Sequence, residues 1–314
     1  MTDRDSAPVS ATTTRRILLV GHTGRADAVE AAFRVAELLA DEGVQPVLER
    51  DTADELRAID AVRLPGSTLV LGEDCDLDEV EIAVVLGGDG TILRAAEVVR
   101  PSGVPIIGVN LGHVGFLAES ERDSVAYTLR RVLDRDYTVE ERMALSLRVE
   151  IGDAVIAEDW ALNDASIEKA DRAKMVEVVI EVDDQPLSAF GCDGVIFSTP
   201  TGSTAYSFSA GGPIVWPTVE ALLLVPISAH ALFSRPIVVA PTSVLAVELN
   251  PRGPGGIMWC DGRRQVVIPA GARVVATRSP HAVRLARLHL APFSKRLVDK
   301  FRLPTAGWRG TAAT

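Results

Sequence analysis

Ile82-Ala83-Val84-Val85-Leu86-Gly87-Gly88-Asp89-Gly90-Thr91-Ile92-Leu93-Arg94-Ala95-Ala96-Glu97 reads as a buried strand, a glycine turn and the start of a helix. Five consecutive apolar residues suit a strand covered on both faces. The glycines Gly87, Gly88 and Gly90, with Thr91, form a loop whose backbone can approach a phosphate, because no side chain blocks it. The helix that follows turns free N–H groups and the positive end of its dipole to the same place. A carboxylate, Asp89, in the middle of such a loop suits a group that orients a hydroxyl about to attack phosphorus.

Working outward, Arg16-Ile17-Leu18-Leu19-Val20 reads as a strand ending in Gly21-His22-Thr23-Gly24. Val29, Ala32, Phe33, Ala36, Leu39 and Ala40 then share one helical face, and Gly43 stops that helix. Val44–Leu48 is a second strand and Asp54–Val62 a short helix. The acidic run from Glu73 to Glu81 reads as a solvated loop. Pro105–Val109 is a further strand and Ser124–Leu133 a further helix. This β-α-β-α-β order implies a parallel sheet with helices on its faces. Ligands of such sheets sit at the carboxyl ends of the strands. Near residue 143 the apolar period changes from 3.6 to 2: Leu145, Leu147 and Val149 alternate with Ser146, Arg148 and Glu150. Asp183-Asp184 and Asp261-Gly262 read as hairpin turns. The expected fold is therefore α/β plus all-β. A Rossmann-like parallel domain covers 15–142 and 284–305, and a β-rich domain covers 143–283. The closing helix, Phe293–Arg302 with Phe293, Leu297 and Phe301 on one face, is expected to return to the first domain. Residues 1–14 read as a disordered tail and 306–314 as a second tail.

The chain has 314 residues, 47% hydrophobic, with a net charge of −11. That balance argues against a nucleic-acid binder, whose footprint is a basic face. No apolar run approaches the roughly 18 residues of a membrane span. The three cysteines, Cys75, Cys192 and Cys260, lack CxxC spacing and suit a reducing cytoplasm, with Cys192 and Cys260 read as inert buried thiols. There is no Walker sequence, no GxGxxG after the first strand, no GxSxG and no HExxH.

Two more polar stretches carry chemistry. One is Leu162-Asn163-Asp164, with Lys169 and Lys174 beyond it. The other is DGVIFSTPTGSTAYSFSAGGP at 193–213, which is crowded with hydroxyls. Together with GGDGT at 87–91, NLGHVGFLAE at 110–119 and the looser HALFSRPIVVAP at 230–241, these segments resemble the NAD kinases over roughly residues 16–303. GGDG loops also occur in lipid kinases of the diacylglycerol type and in phosphofructokinases; the STPTGSTAY segment is what makes the resemblance specific.

The resemblance implies an NAD kinase that phosphorylates the adenosine-ribose 2′-hydroxyl of NAD, with ATP and Mg²⁺ or another divalent metal, to give NADP. The metal's ligands are left open. Asp89 is implied as the base, with Gly90 against the dinucleotide. Asn163 and Asp164 would hydrogen-bond the ligand; many relatives carry Glu where this chain has Asp164. Asp193 would meet the nicotinamide end. Thr204, Ala205, Tyr206, Ser207, Phe208 and Ser209 would line the adenine side. Arg94 and Lys174 would bring positive charge to the pyrophosphate. The β domain is implied to face the first domain across an active-site cleft. Gly191 stands where donor-restricted relatives carry a larger charged residue, which favours inorganic polyphosphate as a further donor. A homodimer or homotetramer is also implied.

Plainer readings stand beside these. Asp89 could serve only its own turn, Asn163-Asp164 only a cap, Arg94 a solvated face and Tyr206 the core. His113 and His230 read as structural. A lipid kinase would need a basic amphipathic helix that the sequence lacks. A non-catalytic dinucleotide sensor would not need a base beside the hydroxyl.

Overall fold

The computed structural model describes residues 14–111, 115–118, 125–171, 173–288 and 292–305. Both expected tails, apart from Thr14, and His113 lie outside these residues. The chain divides into two compact units. The first runs to Thr138 and resumes at Ala286; the second comprises Val139–Leu285 and the closing segment.

The first unit is built from β1 (Arg16–Gly21), α1 (Ala26–Asp41), β2 (Gln45–Leu48), α2 (Arg50–Asp60), β3 (Leu69–Val70), β4 (Ile82–Leu86), α3 (Asp89–Val99), β5 (Ile106–Val109) and α4 (Val125–Leu133). Strands β1 to β5 pair in parallel in the order β3-β2-β1-β4-β5. Every residue of β4 is buried, as a central strand with helices over both faces requires. Phe33, Val35 and Leu39 of α1 join Ile17, Leu19, Val84 and Leu86 in one core. The acidic run is partly ordered: Leu77–Glu79 forms a 3₁₀ turn with a capping box from Asp76 and Glu79. Glu81 is held by Arg15 and Arg135, and although burial opposes it, these two guanidiniums bring its carboxyl down to about 2.

The sheet is completed by β6 (Thr138–Arg142), at the boundary of the units, and by a strand from much later in the chain, β19 (Val283–Arg287), giving β5-β19-β6. Arg287 Nη1 donates to the Leu117 carbonyl at 3.0 Å.

The second unit holds β7 (Leu145–Ile151), β8 (Ala154–Ala161), β9 (Asp164–Lys169), β10 (Val176–Val182), β11 (Gln185–Cys192), β12 (Gly194–Ser198), α5 (Tyr206–Ser209), β13 (Leu222–Ile227), β14 (Ile237–Val239), β15 (Leu245–Leu249), β16 (Gly256–Cys260), β17 (Arg264–Ile268) and β18 (Arg273–Arg278). They form two six-stranded sheets, β11-β10-β15-β18-β7-β8 and β14-β13-β12-β9-β16-β17. Leu147, Val149, Val178 and Val274 from one sheet and Ile167, Phe197, Leu224 and Met258 from the other share a single core. The period-2 alternation is the signature of such a sandwich.

One expectation is corrected. The closing helix α6 (Phe293–Phe301) groups with the second unit, not the first. Its aromatic face supplies the reason: Phe301 packs on Phe208 with ring centroids 4.5 Å apart, and Phe293 meets Trp216 edge-on at 5.1 Å. The return to the first unit is made by β19.

Candidate active site

In the first unit, Gly88 precedes α3 in an extended conformation and Asp89 is the helix's first residue. No side chain caps the helix; the Thr91 N–H turns back to the Gly88 carbonyl at 2.9 Å, which leaves the Asp89 and Gly90 N–H groups for an anion. A Cβ built on Gly88 or Gly90 meets nothing within 4 Å, so this side of the turn is open. Asp89 is half-buried. Its Oδ2 accepts from the Phe116 N–H at 2.9 Å and its Oδ1 from the Leu117 N–H at 3.0 Å. A carboxylate oxygen carries two lone pairs, so each keeps one for a hydroxyl while the backbone fixes the group's orientation. Gly115 makes this possible: a Cβ there would collide with the Asp89 carboxylate. Residues 115–117 thus act through their backbone.

Arg94, one turn further on, is already engaged. Its Nη2 lies 2.7 Å from Glu49 Oε2, and its Nη1 donates to the Gly21 carbonyl at 3.3 Å. The cation expected near a pyrophosphate is neutralised by Glu49. Sequence reading gave no sign of this partner.

In the second unit, Asn163, Asp164, Ala205 and Tyr206 come together around a cavity of about 590 Å³. Ser166, Glu168, Trp259, Asp261 and Gly262 complete its lining. The Asn163 Oδ1 atom is buried without a hydrogen-bond partner. An unpaired buried acceptor costs free energy that a ligand donor would recover. Asp164 is 5% exposed and accepts from the Tyr206 N–H at 3.3 Å. Burial, then the neighbouring Asp261 charge, pushes its carboxyl up to about 7. Asp261 is buried as well. Its Oδ2 accepts from the Leu162 N–H at 2.9 Å and its Oδ1 from the Asn163 N–H at 2.7 Å. Burial raises this carboxyl too, against the opposing pull of those N–H groups and of Arg264. Sequence reading took Asp261 only for a hairpin residue. The signal available was an Asp-Gly turn directly after the apolar run Met258-Trp259-Cys260.

The hydroxyl-rich segment serves the structure more than the cavity. Ser198, Thr199, Ser203 and Ser207 are fully buried. Thr199 Oγ1 donates to the Leu162 carbonyl at 2.6 Å, and Ser198 Oγ to the Asn163 carbonyl at 3.2 Å. Gly202 sits so close to the Asn163 carbonyl that a Cβ there would collide with it. Thr204, Ser207, Phe208 and Ser209 do not line the cavity; Phe208 is occupied by Phe301. Asp193 is elsewhere, 2.5 Å from Lys169 Nζ, which holds its carboxyl below the usual range. Lys174 is exposed.

A parallel α/β unit with an aspartate on a glycine turn, followed by a two-sheet β unit with a carboxylate-lined cavity, defines a small-molecule kinase of the glycine-aspartate-loop class. Residues 17–137 match the ATP-NAD kinase N-terminal domain and residues 162–288 the ATP-NAD kinase C-terminal domain. The chain is 59% identical over 297 residues to an NAD kinase of Leifsonia xyli, covering 94% of this chain and 97% of the relative. It is 54% identical over 316 residues to an NAD kinase of Thermobifida fusca, covering 99% and 97%. Among solved structures, the yeast NADH kinase complexed with NADH shares the fold at a TM-score of 0.80 and 23% identity, over 96% of this chain and 89% of that one. An NAD kinase from Archaeoglobus fulgidus in complex with ATP superposes at a TM-score of 0.67 with 25% identity, over 92% and 98%. The chain belongs to the ATP-NAD kinase family.

Proposed function

We propose that the chain transfers the terminal phosphoryl group of ATP to the 2′-hydroxyl of the adenosine ribose of NAD, giving NADP. The observation that carries the reading is Asp89, held by two backbone N–H groups at the head of an uncapped helix in an open glycine turn. A ribose hydroxyl is a poor nucleophile at neutral pH. A carboxylate with a free lone pair accepts its proton as the new P–O bond forms and the bond to the ADP leaving group breaks. The open turn and the N–H groups of α3 suit the charge on a phosphate. In the second unit, Asn163 Oδ1 and Asp164 accept hydrogen bonds from the dinucleotide, and Tyr206, 40% exposed, offers a ring face.

Among the described residues no group of three or more His, Cys, Asp or Glu could hold a metal ion. These residues form no site built from protein ligands alone. Mg²⁺ favours one or two carboxylates plus substrate phosphates, so the metal would arrive on the triphosphate and neutralise its charge. Inorganic polyphosphate is a further candidate donor. At Gly191 a Cβ would lie 3.2 Å from the terminal methyl of Met175.

Self-association through the β unit would cover Leu232, Phe233, Val238 and Val267, all exposed. Light scattering should then show a dimer or tetramer at micromolar concentration. No helix of the described residues is long and apolar enough to cross a membrane, and the three cysteines are buried and free; both suit a cytoplasmic setting.

The test is NADP formation from NAD, ATP and Mg²⁺, read by an NADP-specific dehydrogenase. Absence of product with either donor would overturn the reading.

A further inference from the structure

We infer that Asp261 is a positioning residue for NAD: its carboxylate fixes the backbone of Leu162-Asn163-Asp164 and, through its charge, sets the state of the Asp164 carboxyl. The inference rests on the proposed NAD-phosphorylating activity and goes beyond it, to a residue outside the segments that carry the family resemblance.

The geometry is a closed brace. Asp261 sits in the turn between β16 and β17 with φ at +53°, a left-handed conformation that aspartate tolerates better than most residues. From there its two oxygens take the Leu162, Asn163 and Asp164 N–H groups at 2.9, 2.7 and 3.4 Å. Its own N–H donates to the Asp164 carbonyl at 2.9 Å. The opposite side of the same tripeptide is held from β12. Thr199 Oγ1 takes the Leu162 carbonyl, while the Thr199 N–H, at 2.9 Å, and Ser198 Oγ take that of Asn163. Every backbone polar group of residues 162–164 is therefore fixed by hydrogen bonds. The side chains it presents, the unpaired Asn163 Oδ1 and the buried Asp164 carboxyl, are the ones that line the cavity.

Charge follows from the same arrangement. Three N–H donors and the Arg264 guanidinium, 3.7 Å away, favour the ionised form of Asp261. Asp164 has one backbone N–H and a buried carboxylate beside it, which favours its protonated form over that of Asp261. The other charged or titratable groups facing the pair are few. On β9 they are Glu168, bonded to Ser166, and Lys169, paired with Asp193. On β8 there is Asp159, paired with Arg264 at 3.0 Å. The buried Cys260 thiol beside Asp261 and the Tyr206 phenol beside Asp164 complete the set.

The experiment compares wild type with Asp261→Asn and Arg264→Gln in the full-length protein. KM for NAD, KM for ATP and kcat are measured from pH 5.5 to 8.5, with circular dichroism to confirm folding. Wild type should show an inflection in KM for NAD near pH 7. Asp261→Asn removes the neighbouring charge and one acceptor. It should raise KM for NAD at least tenfold, change kcat and KM for ATP less than threefold, and move the inflection down by a unit or more. Arg264→Gln should move it up, so the idea survives loss of either variant to misfolding. A purely structural role predicts lower stability with the inflection unmoved in both variants, and that result would overturn the inference. A wild type that makes no NADP would overturn the proposed function instead.

Discussion

The two units each place an aspartate in a candidate site, and they treat it in opposite ways. Asp89 is half-buried on an open turn, with both oxygens fixed by backbone N–H groups and a lone pair on each left over. Asp164 is sealed in a sheet, has one backbone donor and faces a second carboxylate. The first environment suits a group that takes up a proton during turnover. The second suits a group that binds and whose protonation is set by its neighbour. Environment, rather than residue type, separates a base from a binder.

The sharpest way to break that contrast is Asp89→Asn. The amide keeps one acceptor and turns a donor toward the other backbone N–H, so the 115–118 segment loses one hydrogen bond, at a cost of about 1 kcal/mol. Turnover should fall about 10²- to 10⁴-fold, the usual contribution of a positioned base, while the melting temperature drops by only a few degrees. Near-wild-type kcat in a coupled NADP assay would remove Asp89 from the chemistry.

The next largest effect tests the second unit. Gly202→Ala drives a methyl into the Asn163 carbonyl, which is itself pinned by Ser198 and Thr199. Overpacking of this kind costs about 1–3 kcal/mol. Because the displaced backbone carries Asn163 and Asp164, KM for NAD should rise about tenfold with kcat nearly unchanged. Unchanged KM, measured by initial rates at saturating ATP, would separate the brace from substrate binding.

These two variants also show what the sequence made legible. GGDGT, Leu162-Asn163-Asp164 and the hydroxyl segment are contiguous, so their residues could be singled out by inspection. What each segment leans on could not. Asp261 reaches its partners across 97 to 99 positions, and in one dimension it is only the first residue of an Asp-Gly turn. The apolar face of the closing helix was visible at Phe293, Leu297 and Phe301, but nothing local said that Phe208 and Trp216 would cover it. The hydroxyls of this segment could be counted in advance, but not their work: Thr199 and Ser198 hold the Leu162 and Asn163 carbonyls. Periodicity set the two architectures well, because burial on one or two faces writes itself into every second or every third to fourth residue.

Asp164→Asn sharpens the electrostatic half of the comparison. The folded-state carboxyl is raised from an ordinary value of 3.8 to about 7. Between those limits the native state therefore holds more protons than the unfolded chain, and stability falls as pH rises through the window. Above it the full cost of a buried charge is present; below it there is none. The asparagine variant should be more stable than wild type at pH 8, by at least the ~1.4 kcal/mol equivalent to one pKa unit, and equal to it near pH 4. Denaturant melts at the two pH values decide this, and a gain of the same size at both would show that packing rather than charge is responsible. The variant should still bind NAD more weakly, which would make Asp164 a residue kept at a cost in stability.

The smallest effect concerns Arg94, on which sequence and structure differ. Its pair with Glu49 is about one-third exposed on the arginine and one-quarter on the glutamate, so it stabilises the fold by about 0.2–1 kcal/mol. If the arginine belongs to Glu49 and the end of β1, as the geometry indicates, Arg94→Met costs that amount and leaves KM for NAD within about twofold. Glu49→Gln should then have a similar small effect on stability and none on turnover. A KM for NAD that rises tenfold in Arg94→Met, and that weakens further with added salt as a pyrophosphate contact would, requires the guanidinium to leave Glu49 when substrate binds. Glu49→Gln, by releasing the guanidinium in advance, would in that case lower KM below the wild-type value.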